Sequence, residues 1–235
     1  MIVALVSATY RTYAFEYVRG LVSVLAPSRE LEAELSQYEF VPVLARGYGG
    51  GRQTALAMRA AFAAGAEIAV TVECDIAWDA GELLKLLRSY RAIQAQFGAP
   101  AAVGAVYPAS SRPDQLVFAP AVPAGTSADE VVAATVRRLA GVEDAARYVE
   151  AEVLPCGFTA WPLEDVAQVD PVERMGADIM ETYDRCLSET LRRRGVRLFY
   201  DLEVDVGHHV DVPTSARTVA ARVQHRISPR AGDPT

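Results

Sequence analysis

Lysine is almost absent from this chain, since Lys85 is the only lysine among 23 basic side chains. A P-loop needs a lysine after its glycine-rich turn, so the absence of a G-x-x-x-x-G-K motif excludes that class of nucleotide-binding protein. Basic side chains are also outnumbered by 30 acidic ones, giving a net charge of −7 and a pI of about 5.1. Proteins that bind nucleic acid or anionic membranes without sequence or lipid specificity are usually basic. We therefore expect neither nucleic acid nor a membrane surface to be the main partner of this chain.

Cysteine and long apolar runs are scarce as well. The three cysteines, Cys74, Cys156 and Cys186, lack metal-type spacing and are predicted to be reduced thiols within the core. No apolar run approaches the length that spans a membrane. Residues 1–7 lack the basic start of a secretory signal and are interpreted as a strand, which leads us to expect a cytoplasmic protein.

The composition is otherwise that of an ordinary globular protein, with 51% hydrophobic and 23% charged residues. Such a balance can bury a sizeable core, and 235 residues suit one large α/β domain. We expect a single domain over residues 1–226, followed by a polar tail at 227–235.

Strands and helices alternate in the first half of the chain. The apolar runs at 2–6, 68–72 and 101–107 are typical of strands buried on both faces, whereas Pro42 interrupts the run at 40–45 and predicts an edge strand. The first helix between them has five apolar residues on one face: Phe15, Val18, Leu21, Val22 and Leu25. The β-α-β-α-β-α-β order predicts an α/β fold with an open, mostly parallel sheet flanked by helices.

Two carboxylates, Glu73 and Asp75, directly follow the strand predicted at 68–72. Side chains two residues apart on an extended chain point the same way, so these oxygens are expected to converge. Open α/β sheets bind ligands at the carboxyl ends of their strands, and paired carboxylates suit Mg²⁺ or Mn²⁺. Asp79 and Glu82 then form a capping-box pattern that begins a helix. The alternative is that both acids are solvated loop residues.

A glycine-rich loop at 47–51 precedes a predicted helix but does not match the dinucleotide-binding pattern. The motif G-x-G-x-x-G requires glycine where Arg52 stands, which disfavours a nicotinamide-dependent protein. Arg52 begins a helix beside the glycines, and both arginine and a helix N-terminus suit phosphate. The alternative is a solvated arginine in the first turn.

Two of the three histidines, His208 and His209, end a strand predicted near the C-terminus. In a chain with a carboxylate pair they are candidate ligands, and imidazole suits Mn²⁺ or Zn²⁺ better than Mg²⁺. Because side chains alternate along a strand, only His208 is predicted to share a metal with Asp75. Asp178 stands at a predicted helix start, where it is either a plain N-cap or a general base.

The order of these parts resembles that of the GT-A glycosyltransferases, in particular the small family-2-like transferases of bacteria and phages. The resemblance covers nearly the whole chain, and its specificity lies in the ordered set of matches. The matching segments are Ser7-Ala-Thr-Tyr10, Arg52-Gln-Thr-Ala-Leu-Ala, Glu73-Cys-Asp75, residues 103–108, residues 156–161, Gly176-Ala-Asp178, residues 195–201 and Val206-Gly-His208.

The resemblance implies a nucleotide-diphosphate-sugar donor and an acceptor hydroxyl that it does not identify. It implies a nucleotide-binding half at 1–107 and an acceptor-side half at 108–226. The ligands of Mn²⁺ or Mg²⁺ are expected to be Glu73, Asp75 and His208. The residues expected to bind the substrate are Ser7, Thr9 and Tyr10 at the base and ribose, Arg52 at the base or phosphates, and Gly157.

The chain departs from the family pattern at two places. Glu73 replaces the first aspartate of D-x-D, which a metal site tolerates. Ala177 replaces the glutamate of the E-D pair, and the helix that precedes Gly195 is longer than is usual in the family. The resemblance therefore implies two candidates for the catalytic base. Asp178 matches the residue types of the family motif, whereas Asp184 matches its usual distance from the glycine that corresponds to Gly195.

Two other functions fit the same architecture. A nucleotidyltransferase shares the metal-binding acids but usually has a glycine-rich loop and a lysine after the first strand, and residues 7–12 contain neither. A non-catalytic nucleotide- or sugar-binding protein is the other alternative, and the intact acid pair with His208 argues against it.

Overall fold

A nine-stranded sheet forms the centre of the computed structural model, which describes residues 1–9, 15–46, 50–109, 115–142, 146–169, 183–208, 214–217 and 220. From one edge to the other, the strands of the main path are β2 (Glu39–Arg46), β1 (Ile2–Thr9), β3 (Ile68–Val72), β9 (Phe158–Pro162), β5 (Ala101–Pro108), β10 (Arg197–Asp205), β8 (Tyr148–Val153) and β7 (Ala119–Pro120). The ninth strand, β6 (Leu116–Val117), pairs with β5.

The main sheet is mixed, although most of its long strands run in one direction. Strands β1, β2 and β3 are mutually parallel, and β5 is parallel to β10. Strand β9 lies between these two groups and is antiparallel to both β3 and β5. The two groups therefore share a direction, and their carboxyl ends open on the same edge of the sheet. The predicted edge strand is confirmed, since β2 ends the strand order.

Helices cover both faces of the sheet. One apolar cluster contains alternate residues of β1, such as Ala4 and Val6, and the other contains Val3 and Leu5. Neighbouring side chains on a strand point to opposite faces, so the two clusters lie on opposite sides. The first is covered by α3 (Gly50–Ala63), α5 (Ala128–Leu139), α6 (Leu163–Ala167) and α7 (Tyr183–Arg193), and the second by α1 (Phe15–Leu25), α2 (Arg29–Leu35) and α4 (Ala80–Phe97).

The predicted helix start after the acidic strand is confirmed. The Asp79 carboxylate accepts a hydrogen bond from the Glu82 backbone N–H at 3.0 Å and caps α4. The Glu82 carboxylate does not complete the capping box, because it accepts from Lys85 at 2.6 Å and from the Asp205 N–H at 2.8 Å. It thereby ties α4 to the end of β10.

Helix α1 packs on a different face from the one that its apolar pattern suggests. Phe15 and Leu25 are 72% and 74% exposed, whereas Tyr17, Gly20 and Val24 are buried. A Cβ on Gly20 would lie 2.3 Å from the Trp78 indole, so only glycine permits this close approach. The helix is therefore positioned by an aromatic contact rather than by its most apolar stripe.

A second, three-stranded sheet lies beyond the carboxyl end of β3. It consists of β4 (Ile76–Ala77), β11 (Gly207–His208) and β12 (Thr214–Ser215) in the order β12-β11-β4. Strand β4 follows the Glu73–Asp75 turn, and β11 follows β10. This small sheet joins the middle of the chain to its C-terminal part. Within the described ranges, no helix is both long and apolar enough to cross a lipid bilayer.

Candidate metal centre

The turn after β3 places two carboxylates at the carboxyl edge of the sheet. Glu73 follows the last residue of β3, and its backbone N–H donates to the Gly157 carbonyl at 2.9 Å. The Glu73 carbonyl accepts from the Ile76 N–H at 3.1 Å, which closes the turn that contains Asp75. Both carboxyl-bearing residues are thus fixed by backbone hydrogen bonds rather than left on a loose loop.

The small sheet brings His208 to this turn. In the antiparallel pairing of β11 with β4, His208 lies opposite Ile76, the residue that follows Asp75. Its Nε2 atom lies 3.2 Å from the Asp75 Oδ2 atom. The proximity of His208 and Asp75 predicted from the sequence is confirmed, although these residues are separated by more than half of the chain.

Glu73, Asp75 and His208 together form a cluster with the composition of a metal site. One ligand atom from each residue lies within 4.8 Å of the others. Carboxylate oxygens and an imidazole nitrogen suit Mn²⁺, and the oxygens suit Mg²⁺. Two donors held by one ion at about 2.0–2.2 Å lie about 3 Å apart, which agrees with the 3.2 Å between His208 and Asp75. The residues present therefore fit a divalent cation.

Both ring nitrogens of His208 face oxygen acceptors. Nδ1 lies 2.8 Å from the Pro108 carbonyl oxygen, and Nε2 faces the Asp75 carboxylate. A neutral imidazole donates only one N–H, so one of these contacts needs an added proton or a cation between the two atoms. The Pro108 carbonyl can hold the proton on Nδ1, which leaves Nε2 as the ligand atom in the usual arrangement of metal-bound histidine.

Protonation of the histidine is favoured when no cation is bound. Burial lowers the pKa of His208, but the hydrogen bonds to Asp75 and to the Pro108 carbonyl, together with the charge of Asp75, outweigh burial and raise it. The Tyr107 ring packs edge-on against the imidazole, with 5.5 Å between ring centroids. The ring of His208 is consequently held in one orientation by β5, through Tyr107 and Pro108.

Glu73 has a strongly raised pKa. Burial, reinforced by the charges of Asp184 and Asp75 and partly opposed by His208, raises its pKa to about 7. Glu73, Asp75 and Asp184 thus share a small region, and the charge of His208 partly offsets their effect on Glu73. A cation bound at this position would remove the unfavourable interaction among them.

A cavity of about 140 Å³ opens directly beside Glu73. The side chains with polar groups in its wall are those of Glu73, Asp184, Thr54, Thr71, Cys156 and Tyr183. Glu73 belongs both to the cavity and to the metal cluster, so the two form one continuous site. The cavity lies on the side of the sheet covered by α3 and α7.

Asp184 enters the cavity from the first turn of α7. Burial raises its pKa, while hydrogen bonds from the thiol and the backbone N–H of Cys156 oppose that rise. Burial and the Asp184 charge in turn raise the pKa of the Cys156 thiol well above its ordinary value, so the thiol is a neutral donor. Cys156 therefore holds the Asp184 carboxylate in place. Sequence reasoning treated Cys156 only as a core thiol.

A larger cavity, of about 450 Å³, lies at the opposite edge of the sheet. It is bordered by residues at the starts of β1, β3 and β5, and by Glu164 and Asp165 of α6. Among the residues that the structure describes, this edge has no His, Cys, Asp and Glu side chains grouped closely enough to hold a metal. The smaller cavity is the stronger candidate because two acids with raised pKa values, Glu73 and Asp184, converge on it.

Ser7, which is predicted to bind the base or ribose of the nucleotide, does not border the cavity. Ser7 is buried on the same face of β1 as Val3 and Leu5, whereas the cavity is bordered by Val6 and Ala8 on the other face. The Ser7 hydroxyl has no hydrogen-bond partner among the described residues.

Arg52 lies in the first turn of α3 and is exposed, outside the cavity wall. Thr9 ends β1, but its side chain lies outside the described part of the chain, as do Tyr10, Asp178 and His209. The roles of these residues remain predictions.

Gly157 has a packing role that sequence reasoning missed. A Cβ at this position would lie 2.0 Å from the Tyr107 hydroxyl. The same residue supplies the carbonyl that fixes Glu73. The structure thus gives a reason for glycine that does not depend on substrate, and contact between Gly157 and a substrate stays a prediction.

Asp201, which belongs to one of the matching segments, lies outside the metal cluster. It is fully buried, and its carboxylate accepts from Arg147 Nε and Nη2, both at 3.0 Å, and from Ser89 at 2.6 Å. These contacts join α4, the start of β8 and β10. Its role is structural.

Comparisons with known proteins concern the fold. No protein-family model and no curated protein sequence matches the chain. Among solved structures, that of A197 from STIV is 12% identical, covers 92% of this chain and 91% of its own, and has a TM-score of 0.55, which shows a shared fold. A 4-diphosphocytidyl-2C-methyl-D-erythritol synthase from Anaerococcus prevotii DSM 20548 is 10% identical, with coverage of 96% and 98% and a TM-score of 0.42. A CMP:2-keto-3-deoxy-manno-octonic acid synthetase complexed with CTP is 10% identical, with 98% coverage of each chain and a TM-score of 0.38.

Proposed function

We propose that this chain is a divalent-metal-dependent glycosyltransferase that uses a nucleotide-diphosphate sugar as donor. The observation that carries the proposal is the convergence of Glu73, Asp75 and His208 at the carboxyl edge of an α/β sheet. That edge is where sheets of this kind bind ligands. The ordered resemblance to GT-A glycosyltransferases supports the choice of reaction.

The three ligands would hold Mn²⁺ or Mg²⁺ next to the diphosphate of the donor. A divalent cation in this position neutralises the charge that develops on the departing nucleoside diphosphate. His208 is oriented for this task by the Pro108 carbonyl, and Glu73 by the Gly157 carbonyl. In this proposal, residues 1–107 form the nucleotide-binding half, and residues 108–226 form the acceptor-side half.

Asp184 is the favoured base on structural grounds. It faces the cavity beside the metal cluster, and its raised pKa moves it towards the range in which a carboxylate accepts a proton efficiently. In an inverting reaction its carboxylate would take the proton from the acceptor hydroxyl as that oxygen attacks the anomeric carbon. Asp178 is the alternative base.

Calorimetry with UDP and GDP tests the metal centre. We expect one of them to bind more tightly with Mn²⁺ than with EDTA, and Asp75→Asn to abolish the difference. Asp165→Asn is the matched control, because Asp165 borders the cavity at the other edge of the sheet. Equal affinity in Mn²⁺ and EDTA would refute the proposed bridging role of the metal.

Turnover distinguishes the transferase from its alternatives. A panel of nucleotide sugars is incubated with Mn²⁺, and release of nucleoside diphosphate is measured for the wild type, Asp178→Asn and Asp184→Asn. We expect Asp184→Asn to retain donor binding and lose transfer. Release of pyrophosphate from a nucleoside triphosphate and a sugar phosphate would instead indicate a nucleotidyltransferase, and binding without turnover would indicate a non-catalytic protein.

A further inference from the structure

We infer that the donor sugar is neutral or carries an amino group, and that acidic sugars are excluded. This inference rests on the proposed function and concerns the cavity beside the metal centre. Glu73 borders both the metal cluster and the cavity. Because the sugar is joined directly to the diphosphate, the cavity that begins at Glu73 would adjoin it.

The charge of the cavity wall has one sign. Its titratable groups include the carboxyls of Glu73 and Asp184, and no basic side chain lines it in the part of the chain that the structure describes. Arg52 lies in the first turn of the adjoining helix α3, but it is exposed and lies outside the wall. A second anion placed here would be desolvated without a countercharge.

The two carboxylates of the wall call for hydrogen-bond donors on the ligand, whereas the Thr54 and Tyr183 hydroxyls can donate or accept. Ionised carboxylates only accept hydrogen bonds. The Thr71 hydroxyl is already engaged, since it accepts from the Trp161 indole N–H at 2.9 Å and donates to the Thr159 carbonyl at 3.3 Å. Sugar hydroxyls or an ammonium group would supply the missing donors, whereas a carboxylate would add further acceptors.

A bound cation does not remove this preference. Its two positive charges balance Glu73 and Asp75, and the donor diphosphate then adds negative charge of its own. Asp184 lies in the cavity wall beyond the metal cluster, where its hydrogen-bond donors are the uncharged thiol and N–H of Cys156. A carboxylate on the sugar would face this remaining charge directly, and we therefore assign the discrimination mainly to Asp184.

Matched donors that differ only at C6 test the inference. The affinity of the full-length protein is measured with Mn²⁺ for UDP-glucose against UDP-glucuronate and for GDP-mannose against GDP-mannuronate, with UDP-glucosamine as the amino sugar. We expect the neutral member of the pair that binds to be favoured at least tenfold over the uronate, and UDP-glucosamine to match UDP-glucose if uridine is the base. Equal or tighter binding of the uronate overturns the inference and leaves the proposed function intact.

Two variants assign the effect to the cavity. Asp184→Asn should bring the ratio of neutral to acidic affinity close to one, whereas Asp165→Asn should leave it unchanged. Binding is measured rather than transfer, because Asp184 is also the favoured base. An unchanged ratio in Asp184→Asn refutes the assignment to this residue. If no member of either pair binds in Mn²⁺, the proposed function and the inference both fail for these nucleotides, which is a distinct result from loss of discrimination.

Discussion

Replacing Glu73 by glutamine should make the metal-free protein more stable above neutral pH while removing a metal ligand. Glutamine keeps the size of the side chain but carries no charge. The ionised Glu73 carboxylate lies among Asp184 and Asp75, with burial as the largest cause of its raised pKa. Comparing wild type with Glu73→Gln therefore measures the free energy of unfolding that is lost by ionising this carboxylate, with little change in the packing of the site.

The sign of the effect follows from the two pKa values. Below pH 4.5, the ordinary value, Glu73 is protonated in both the folded and the unfolded protein and contributes nothing. Between pH 4.5 and about 7 the folded state retains a proton that the unfolded state has lost, so stability falls as the pH rises. Above pH 7 the loss is complete, at up to about 3 kcal/mol, because the side chain keeps some exposure to water.

Urea unfolding in EDTA measures this difference. The free energies of unfolding of wild type and Glu73→Gln should differ by less than about 1 kcal/mol at pH 5, and the variant should be more stable by up to about 3 kcal/mol at pH 8.5. Glu164→Gln, at an exposed acid of α6, is the control and should follow the wild type. Mn²⁺ at about 100 times its dissociation constant should stabilise the wild type by roughly 2.7 kcal/mol and leave Glu73→Gln unchanged. Parallel pH curves for wild type and variant would contradict the account of Glu73.

His208→Ala should abolish high-affinity Mn²⁺ binding measured by electron paramagnetic resonance, whereas His209→Ala should weaken it less; equal losses would exclude His208 as the specific ligand. Gly157→Ala should lower the free energy of unfolding by roughly 1–3 kcal/mol, because the added Cβ would meet a tyrosine hydroxyl at 2.0 Å, and an unaffected urea midpoint would count against that contact. Arg147→Leu should destabilise the protein by about 3 kcal/mol, the low end for a buried pair because Arg147 is 34% exposed, and a loss below about 1 kcal/mol would show that the Ser89 hydroxyl and Glu203 N–H donors suffice for Asp201.

The acid pair was predictable because its signal is local. The buried strand before Glu73 and Asp75 predicts that both acids lie at the carboxyl edge of the sheet, and their spacing of two residues predicts that their side chains point the same way. His208 was predictable only through the additional assumption that two strand ends share an edge. The structure supplies the missing link, since β4 and β11 pair directly and place His208 opposite Ile76.

Long-range packing explains what sequence reasoning missed. The sequence of residues 158–162 does not indicate that β9 lies between β3 and β5. This position of β9 nevertheless brings Cys156 and Gly157 next to the metal cluster. The α1 pattern was misleading for a similar reason: its orientation follows from the close contact between Gly20 and Trp78, which periodicity alone does not encode. A tertiary contact overrides the local pattern at α1, whereas at β9 it determines a position for which the sequence has no local signal.

The unfavourable electrostatics of the site are themselves an argument for a cation. Burial and mutual repulsion raise the pKa of Glu73 and burial raises that of Asp184, so ionising both at neutral pH costs folding free energy in the metal-free protein. A chain selected for stability alone would place amides or apolar side chains here, because neither carries that cost. His208 compensates only one negative charge, and the orientation imposed by the Pro108 carbonyl turns its other nitrogen towards Asp75. Two positive charges between these groups would satisfy the imidazole nitrogen and both carboxylates together, which a single proton on His208 does not achieve.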